Sequence, residues 1–260
     1  MQGFFDEIPD LVRYRELLRN LIARDIKVRY KRSALGFLWV MLNPLLMMLV
    51  FYFLFSNLFG KTVGNYTAYV MSGITLWQLF AQGTSVSSLA FLTNRNLISK
   101  IYLPKSIFPI SVVASSLVHF LFSLVPLFII VLASGTAISP YVAFLPLIVV
   151  MIFIFALGIS LALSTLAVFF HDVIYIYDVI LIAWMYLSAI FYPVSILPEQ
   201  FRILMSFNPV YHYISLFRAS LYEDAIPMDH LMFGAVFAGG SFLIGWAIYQ
   251  RNKDKIIFYL

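Results

Sequence analysis

The stretch RDIKVRYKRSALGFLWVMLNPLLMMLVFYFLF, residues 24–55, decides how this chain is read. Arg24, Lys27, Arg29, Lys31 and Arg32 put five cations in nine positions, and no further charge follows until Lys61. A basic cluster can face nucleic acid, acidic lipid or an acidic partner, so its context makes the choice. Here the apolar run that follows is about the ~20 residues a helix needs to cross a bilayer. The cluster therefore reads as the cytoplasmic collar of a membrane helix.

The rest of the chain agrees. It is 62% hydrophobic and 11% charged, and no Asp, Glu, Lys or Arg occurs between Lys61 and Arg95 or between Lys105 and Asp172. Water-soluble packing does not absorb charge gaps of that length. The net charge of +5 sits at membrane edges, so it is no nucleic-acid footprint. With no cysteine, disulfides and thiolate metal sites are excluded. The first ten residues, MQGFFDEIPD, are acidic, so no cleavable signal peptide is expected.

Six apolar segments are predicted as spans, roughly 36–59, 68–92, 107–133, 141–170, 173–192 and 231–249. They are continuous apolar runs without the alternation of a membrane strand, which makes the fold class all-α. Of 17 basic residues, fourteen fall before the first span, between the second and third, or after the sixth; Lys61, Arg202 and Arg218 fall elsewhere. Both termini are therefore expected in the cytoplasm.

Before the first span, Leu11, Tyr14, Leu17, Leu18, Leu21, Ile22 and Ile26 recur at helical spacing opposite Arg13, Arg15, Arg19 and Lys27. This predicts an amphipathic interface helix over 11–32. It serves as a plain anchor or as a surface for the phosphates of a lipid-linked substrate. Between the last two spans, Pro198–Glu199 and Asn208–Pro209 are helix-start signals. They predict short amphipathic helices near 198–207 and 209–222, on the outer face and partly re-entrant, within a gate segment 193–229. Ala156, Ser160 and Ser164, then Gly234 and Ala238, are small residues at four-residue spacing that suit close helix packing.

No catalytic or metal-ligating set can be drawn. His119 stands alone in mid-span and reads as a packing histidine. The roles of His171 and of Asp178, an acid near the membrane edge, stay open. Gly60–Lys61–Thr62 resembles the end of a phosphate loop, but Phe55 stands where its first glycine belongs. Asn65–Tyr66–Thr67 matches a glycosylation acceptor. Aromatic residues make up 18% of the chain. Tyr52, Phe55, Trp184, Tyr186, Phe191 and Tyr192 are candidates for a sugar conduit, because flat rings with polar tips suit sugar faces. Helix packing would also account for them.

RYKRSALGFLWVMLNPLL (29–46), NRNLISKIYLPKSIFPISVV (94–113) and FYPVSILPEQFRILMSFNPV (191–210) resemble, in order, three segments of ABC-2 type permeases. The group is the one that exports O-antigen, teichoic acid and capsule polysaccharide. The resemblance covers essentially the whole chain as one transmembrane domain, 1–260. His171 departs from it, standing where the family commonly shows arginine.

The resemblance implies a half-transporter of the bacterial inner membrane. It would pair with a second copy and with two ATPase subunits that bind ATP and Mg²⁺, holding no cofactor itself. Asn94, Arg95, Asn96, Leu97, Ile98, Lys100 and Tyr102, within a cytoplasmic segment 93–106, would form the coupling helix. The collar Arg24, Lys27, Arg29, Lys31 and Arg32 would meet the pyrophosphate of an undecaprenyl-linked glycan. A small hydrophobic drug or lipid is the alternative cargo. An integral-membrane enzyme on lipid-linked sugars would need paired acids, and the acids here are scattered.

Overall fold

A computed structural model describes residues 4–260, so the first residues of the 1–260 domain lie outside it. Helices α1 (Phe4–Arg13) and α2 (Arg15–Arg29) lead into α3 (Trp39–Phe59) and α4 (Tyr66–Ser88). Two short turns, α5 (Ala90–Thr93) and α6 (Arg95–Ile98), precede α7 (Ile107–Ala133) and α8 (Leu145–Phe169). Then follow α9 (Asp172–Tyr186), α10 (Glu199–Ser206), α11 (Pro209–Tyr222), α12 (Met228–Asn252) and α13 (Ile256–Tyr259). Among the described residues there is no strand.

Four helical segments are long and apolar enough to cross a membrane: Gly36–Phe59, Ile107–Ala133, Pro140–Phe169 and Met228–Asn252. The other two expected spans differ for separate reasons. Helix α4 has 23 residues but carries Ser72, Thr75, Gln78, Gln82, Thr84, Ser85, Ser87 and Ser88. It tolerates them because it is the axis of the bundle, packed by α3, α7, α8, α9 and α11. The Thr75 and Thr84 hydroxyls donate to the carbonyls of Met71 and Phe80 one turn back, both at 2.8 Å. Helix α9 has 15 residues, about 22 Å of rise, and stops at Tyr186 rather than Tyr192.

Pro44 lies inside α3, where it cannot donate to the carbonyl of Val40. That carbonyl takes a bond of 3.2 Å from the Ser123 hydroxyl of α7 instead. A proline in an apolar helix is tolerated when a neighbour repairs the ladder in this way.

Small residues bring α8 and α12 to backbone contact. A Cβ on Gly245 would overlap the Gly158 carbonyl, and one on Gly158 would overlap the peptide joining Ser241 and Phe242. Ser241 Oγ also donates to Phe155 O at 2.9 Å. The small residues read from the sequence are also used in close packing: Ser160 Oγ donates to the Gly83 carbonyl of α4, and Gly234 packs on Met151 of α8 and Tyr213 of α11.

The expected interface helix over 11–32 is two helices meeting at Tyr14, with Leu17, Leu18 and Leu21 packed on the core. The Glu7 carboxylate, buried, accepts from Ser106 Oγ at 3.0 Å, Gln250 Nε2 at 3.1 Å and Lys253 Nζ at 3.2 Å. Arg24 Nη1 donates to Asn94 Oδ1 at 2.9 Å. The N-terminal helices, the 93–106 segment and the C-terminal segment thus share one end of the bundle. Asn65 caps α4 through Ala68 N, and its Nδ2 donates to Ser134 and Thr136, a structural use of the acceptor-like triplet.

Gly245→Ala is expected to cost roughly 1–3 kcal/mol through overpacking, whereas Gly239→Ala, which has open space, should be neutral. Thermal unfolding in detergent checks the pair, and equal melting temperatures would contradict the backbone contact.

Candidate functional site: collar, coupling surface and aromatic wall

The basic collar divides. Arg24 pairs with Asp25 at 2.9 Å, and together with Lys27 and Lys31 it lines a shallow surface groove. Lys27, Lys31 and Arg32 are exposed. Arg29 is exposed as well, but its guanidinium reaches toward α4 and α7. Its Nη1 lies 2.5 Å from Gln82 Oε1 and 3.2 Å from His119 Nδ1. The switch happens in a tight turn where Arg32 and Gly36 hold φ of 70° and 50°. A left-handed arginine is uncommon; here it turns the chain from α2 into α3.

In the coupling segment the described surface is mixed. Asn94 and Ile98 are buried, and Asn94 Nδ2 donates to Ala90 O at 2.8 Å. These two fix the turn. Arg95, Asn96 and Lys100 are exposed, Leu97 is half-buried, and Tyr102 is 93% exposed, with Ile101 beside it at 52%. A cationic, aromatic knob therefore projects from this end of the bundle.

The aromatic candidates separate into two sets. Phe191 stacks on Phe51 at 3.9 Å, and Phe55 and Tyr186 lie 6.4 and 5.8 Å from it. Tyr52 sits 6.4 Å from Tyr66, and the exposed rings of Tyr52 and Tyr186 face away from the core. Tyr192 closes the group by donating to Tyr186 O at 2.8 Å. Trp184 belongs to the interior instead. It packs edge-on against Phe80 and Phe155, and its Nε1 donates to Asn208 Oδ1 at 2.8 Å.

Sequence reading misses Arg218, setting it with Lys61 and Arg202 outside the three basic segments. It is buried in α11, with Nη1 on Ala189 O at 3.1 Å and Nη2 on Tyr69 O and Ile190 O at 2.9 and 3.0 Å. Its guanidinium carbon lies 3.4 Å above the Tyr69 ring. The three carbonyls belong to α4 and to the bend after α9, where Ala189 holds a φ of 51°. Helix α11 is buried among α4, α8 and α12. A lone arginine within YHYISLFRASLY was the available signal; its carbonyl partners come from distant segments and could not be paired with it by inspection.

Asp178 accepts from Ser85 Oγ at 2.9 Å, and His171 is exposed. Among the described residues no three His, Asp or Glu side chains gather closely enough to hold a metal ion.

A helical bundle with four segments long and apolar enough to cross a membrane, and a basic loop projecting from one end, fits the membrane domain of a transporter. The chain belongs to the ABC-2 type transporter family, whose profile matches residues 16–222. It is 33% identical to the O-antigen export system permease protein RfbA of Klebsiella pneumoniae, over 92% of this chain and 93% of that one. RfbA of Myxococcus xanthus is 29% identical over 95% and 96% of the two chains. The capsule polysaccharide export inner-membrane protein CtrC of Neisseria meningitidis is 23% identical over 84% of each.

Arg218→Met should destabilise the chain by about 3 kcal/mol, because it leaves desolvated carbonyls unpaired. Thermal unfolding measures it. Wild-type stability in this variant would mean that the carbonyls are satisfied in some other way.

Proposed function

We propose that the chain is the permease half of an ATP-driven exporter that moves lipid-linked polysaccharide out of the bacterial cytoplasm. Similarity along nearly the whole chain to permeases named for O-antigen and capsule export carries this reading. It favours polysaccharide over a small drug.

In this reading α4 and α9, the latter extended by 187–192, complete six crossings with both termini in the cytoplasm. Two copies face each other through α3 and α9, whose exposed sides include Tyr52, Phe53, Val179 and Tyr186. Tyr52, Phe55, Tyr186 and Tyr192 then form an aromatic wall along which a glycan slides by stacking, and Trp184 and the buried Phe191 brace it from behind. Residues 193–229 form the outer gate, held to α9 through Asn208. Arg24, Lys27, Lys31 and Arg32 meet lipid phosphates at the inner leaflet. Two ATPase subunits seat on the coupling knob, with Arg95 and Lys100 on acidic residues and Tyr102 in an apolar notch. They supply the ATP and Mg²⁺.

Replacing Tyr52 and Tyr186 together by alanine should cut glycan export several-fold while leaving membrane yield intact, since both rings are exposed. Surface glycan assayed in a strain deleted for the native gene gives the answer; undiminished export would remove the aromatic wall from the mechanism. Charge reversal, Arg95→Glu with Lys100→Glu, should loosen the ATPase, and co-purification in mild detergent reads this directly. Stoichiometric ATPase on that variant would refute the coupling role.

A further inference from the structure

Beside the aromatic wall, a separate cavity of about 400 Å³ opens between α2, α3, α4 and α7. It falls within the roughly 300–1,000 Å³ typical of small-ligand pockets. Arg29, Tyr30, Trp39, Asn43, Gln78, Gln82 and His119 are among the residues that line it. Helical rise puts Gln82 about 9 Å, Gln78 about 15 Å and His119 about 18 Å in from the ends of their helices. The cavity thus runs from the interface toward the middle of the membrane.

Its lining is unlike that of a lipid-filled crevice. Gln78 Nε2 donates to Asn43 Oδ1 at 2.9 Å, and Arg29 spends one nitrogen on both Gln82 and His119. Among the described residues these amides make no other side-chain bond, and no carboxylate lies within ion-pair distance of Arg29. His119 Nε2 is buried without a partner. Burial pushes the Tyr30 phenol above its ordinary range, against the opposing pull of Arg29, so it remains a donor. Acyl chains satisfy none of these groups. The complement of this lining is an anion beside Arg29 and several hydroxyls along the amides.

We propose that the cavity binds a phosphate-linked sugar. Arg29 holds the phosphate, Trp39 and Tyr30 flank the ring, and the amides of Asn43, Gln78 and Gln82 meet its hydroxyls. This deepens the polysaccharide-export reading and rests on it: the ligand would be the first sugar of the glycan on its polyprenyl pyrophosphate carrier. An arginine fork suits phosphate because it can donate two parallel bonds. Amides that read hydroxyls would let the permease distinguish a loaded carrier from an empty one.

The test uses the full chain with its ATPase partner in nanodiscs and measures retained lipid by native mass spectrometry. Three probes compete: polyprenyl pyrophosphate bearing one N-acetylhexosamine, the same carrier without sugar, and phosphatidylglycerol. Wild type should prefer the sugar-bearing carrier about tenfold over the bare one, as one or two hydroxyl contacts would give. Gln82→Glu is isosteric and sets a carboxylate against Arg29, so it should lower retention of the sugar-bearing carrier about tenfold without lowering the melting temperature. Gln78→Leu should bring that carrier down to the level of the bare one and leave the bare one unchanged.

Equal retention by wild type and Gln82→Glu would overturn the proposal. So would phosphatidylglycerol competing as well as the sugar-bearing carrier, which would make the cavity a general phospholipid or water site. Glycan export by a wild type that retains no sugar-bearing carrier would sink the cavity alone. Selective retention without any glycan export would leave the cavity standing and sink the transport reading.

Discussion

Hydrocarbon cannot hydrogen-bond, so a helix that breaks within a membrane must have its freed carbonyls met by protein. In this chain α9 ends at Tyr186, and the polypeptide turns back through Leu187–Tyr192. Four side chains around that bend answer this need. Arg218 serves the carbonyls of Ala189 and Ile190, Tyr66 serves Phe191, Tyr69 serves Ala189 and Tyr192, and Asn208 serves Leu187. Asn208 also caps α11 and receives the indole of Trp184. Without this knot, α9 would have no stable end and the 193–229 segment no fixed seat.

The knot in turn requires α4 to be polar and central. Tyr66 and Tyr69 come from its first turn, and Gly73 lies so close to Arg218 that a Cβ there would sit 2.9 Å from Nη2. Two turns further on, the same helix offers Gln78 and Gln82 to the cavity, then Thr84 to the Tyr177 hydroxyl and Ser85 to Asp178. One helix thereby serves the bend after α9, the polar cavity and the first half of α9. Its hydroxyls cost little because many fold back on the α4 backbone, and its remaining surface is covered by apolar neighbours.

Several elements were legible in the residues themselves. Asn208 before Pro209 marked the start of α11 because capping needs only the next three residues, and α11 runs over Pro209–Tyr222 as expected. Three of the expected spans match their long apolar helices closely, since length and apolarity are properties of a single segment. The aromatic candidates were harder. Phe191 meets Phe51 and Phe55 across helices and Tyr186 on its near side, yet Trp184, two residues from Tyr186, packs against the core, because helix rotation separates near neighbours. His119 read as solitary, since Arg29 is ninety positions away in the chain.

The sequence by itself determined that this is a helical membrane protein, where its basic residues collect, and the family to which it belongs. These follow from composition, from the run lengths that a bilayer demands, and from short motifs preserved in order. Only the tertiary structure decided which cations find partners on the helices of the bundle. Arg29 and Arg218 look like any other edge arginine until distant segments supply Gln82 and His119 for one, and three carbonyls with a tyrosine face for the other. A charge is placed by its partners, and those partners come together only when the bundle closes.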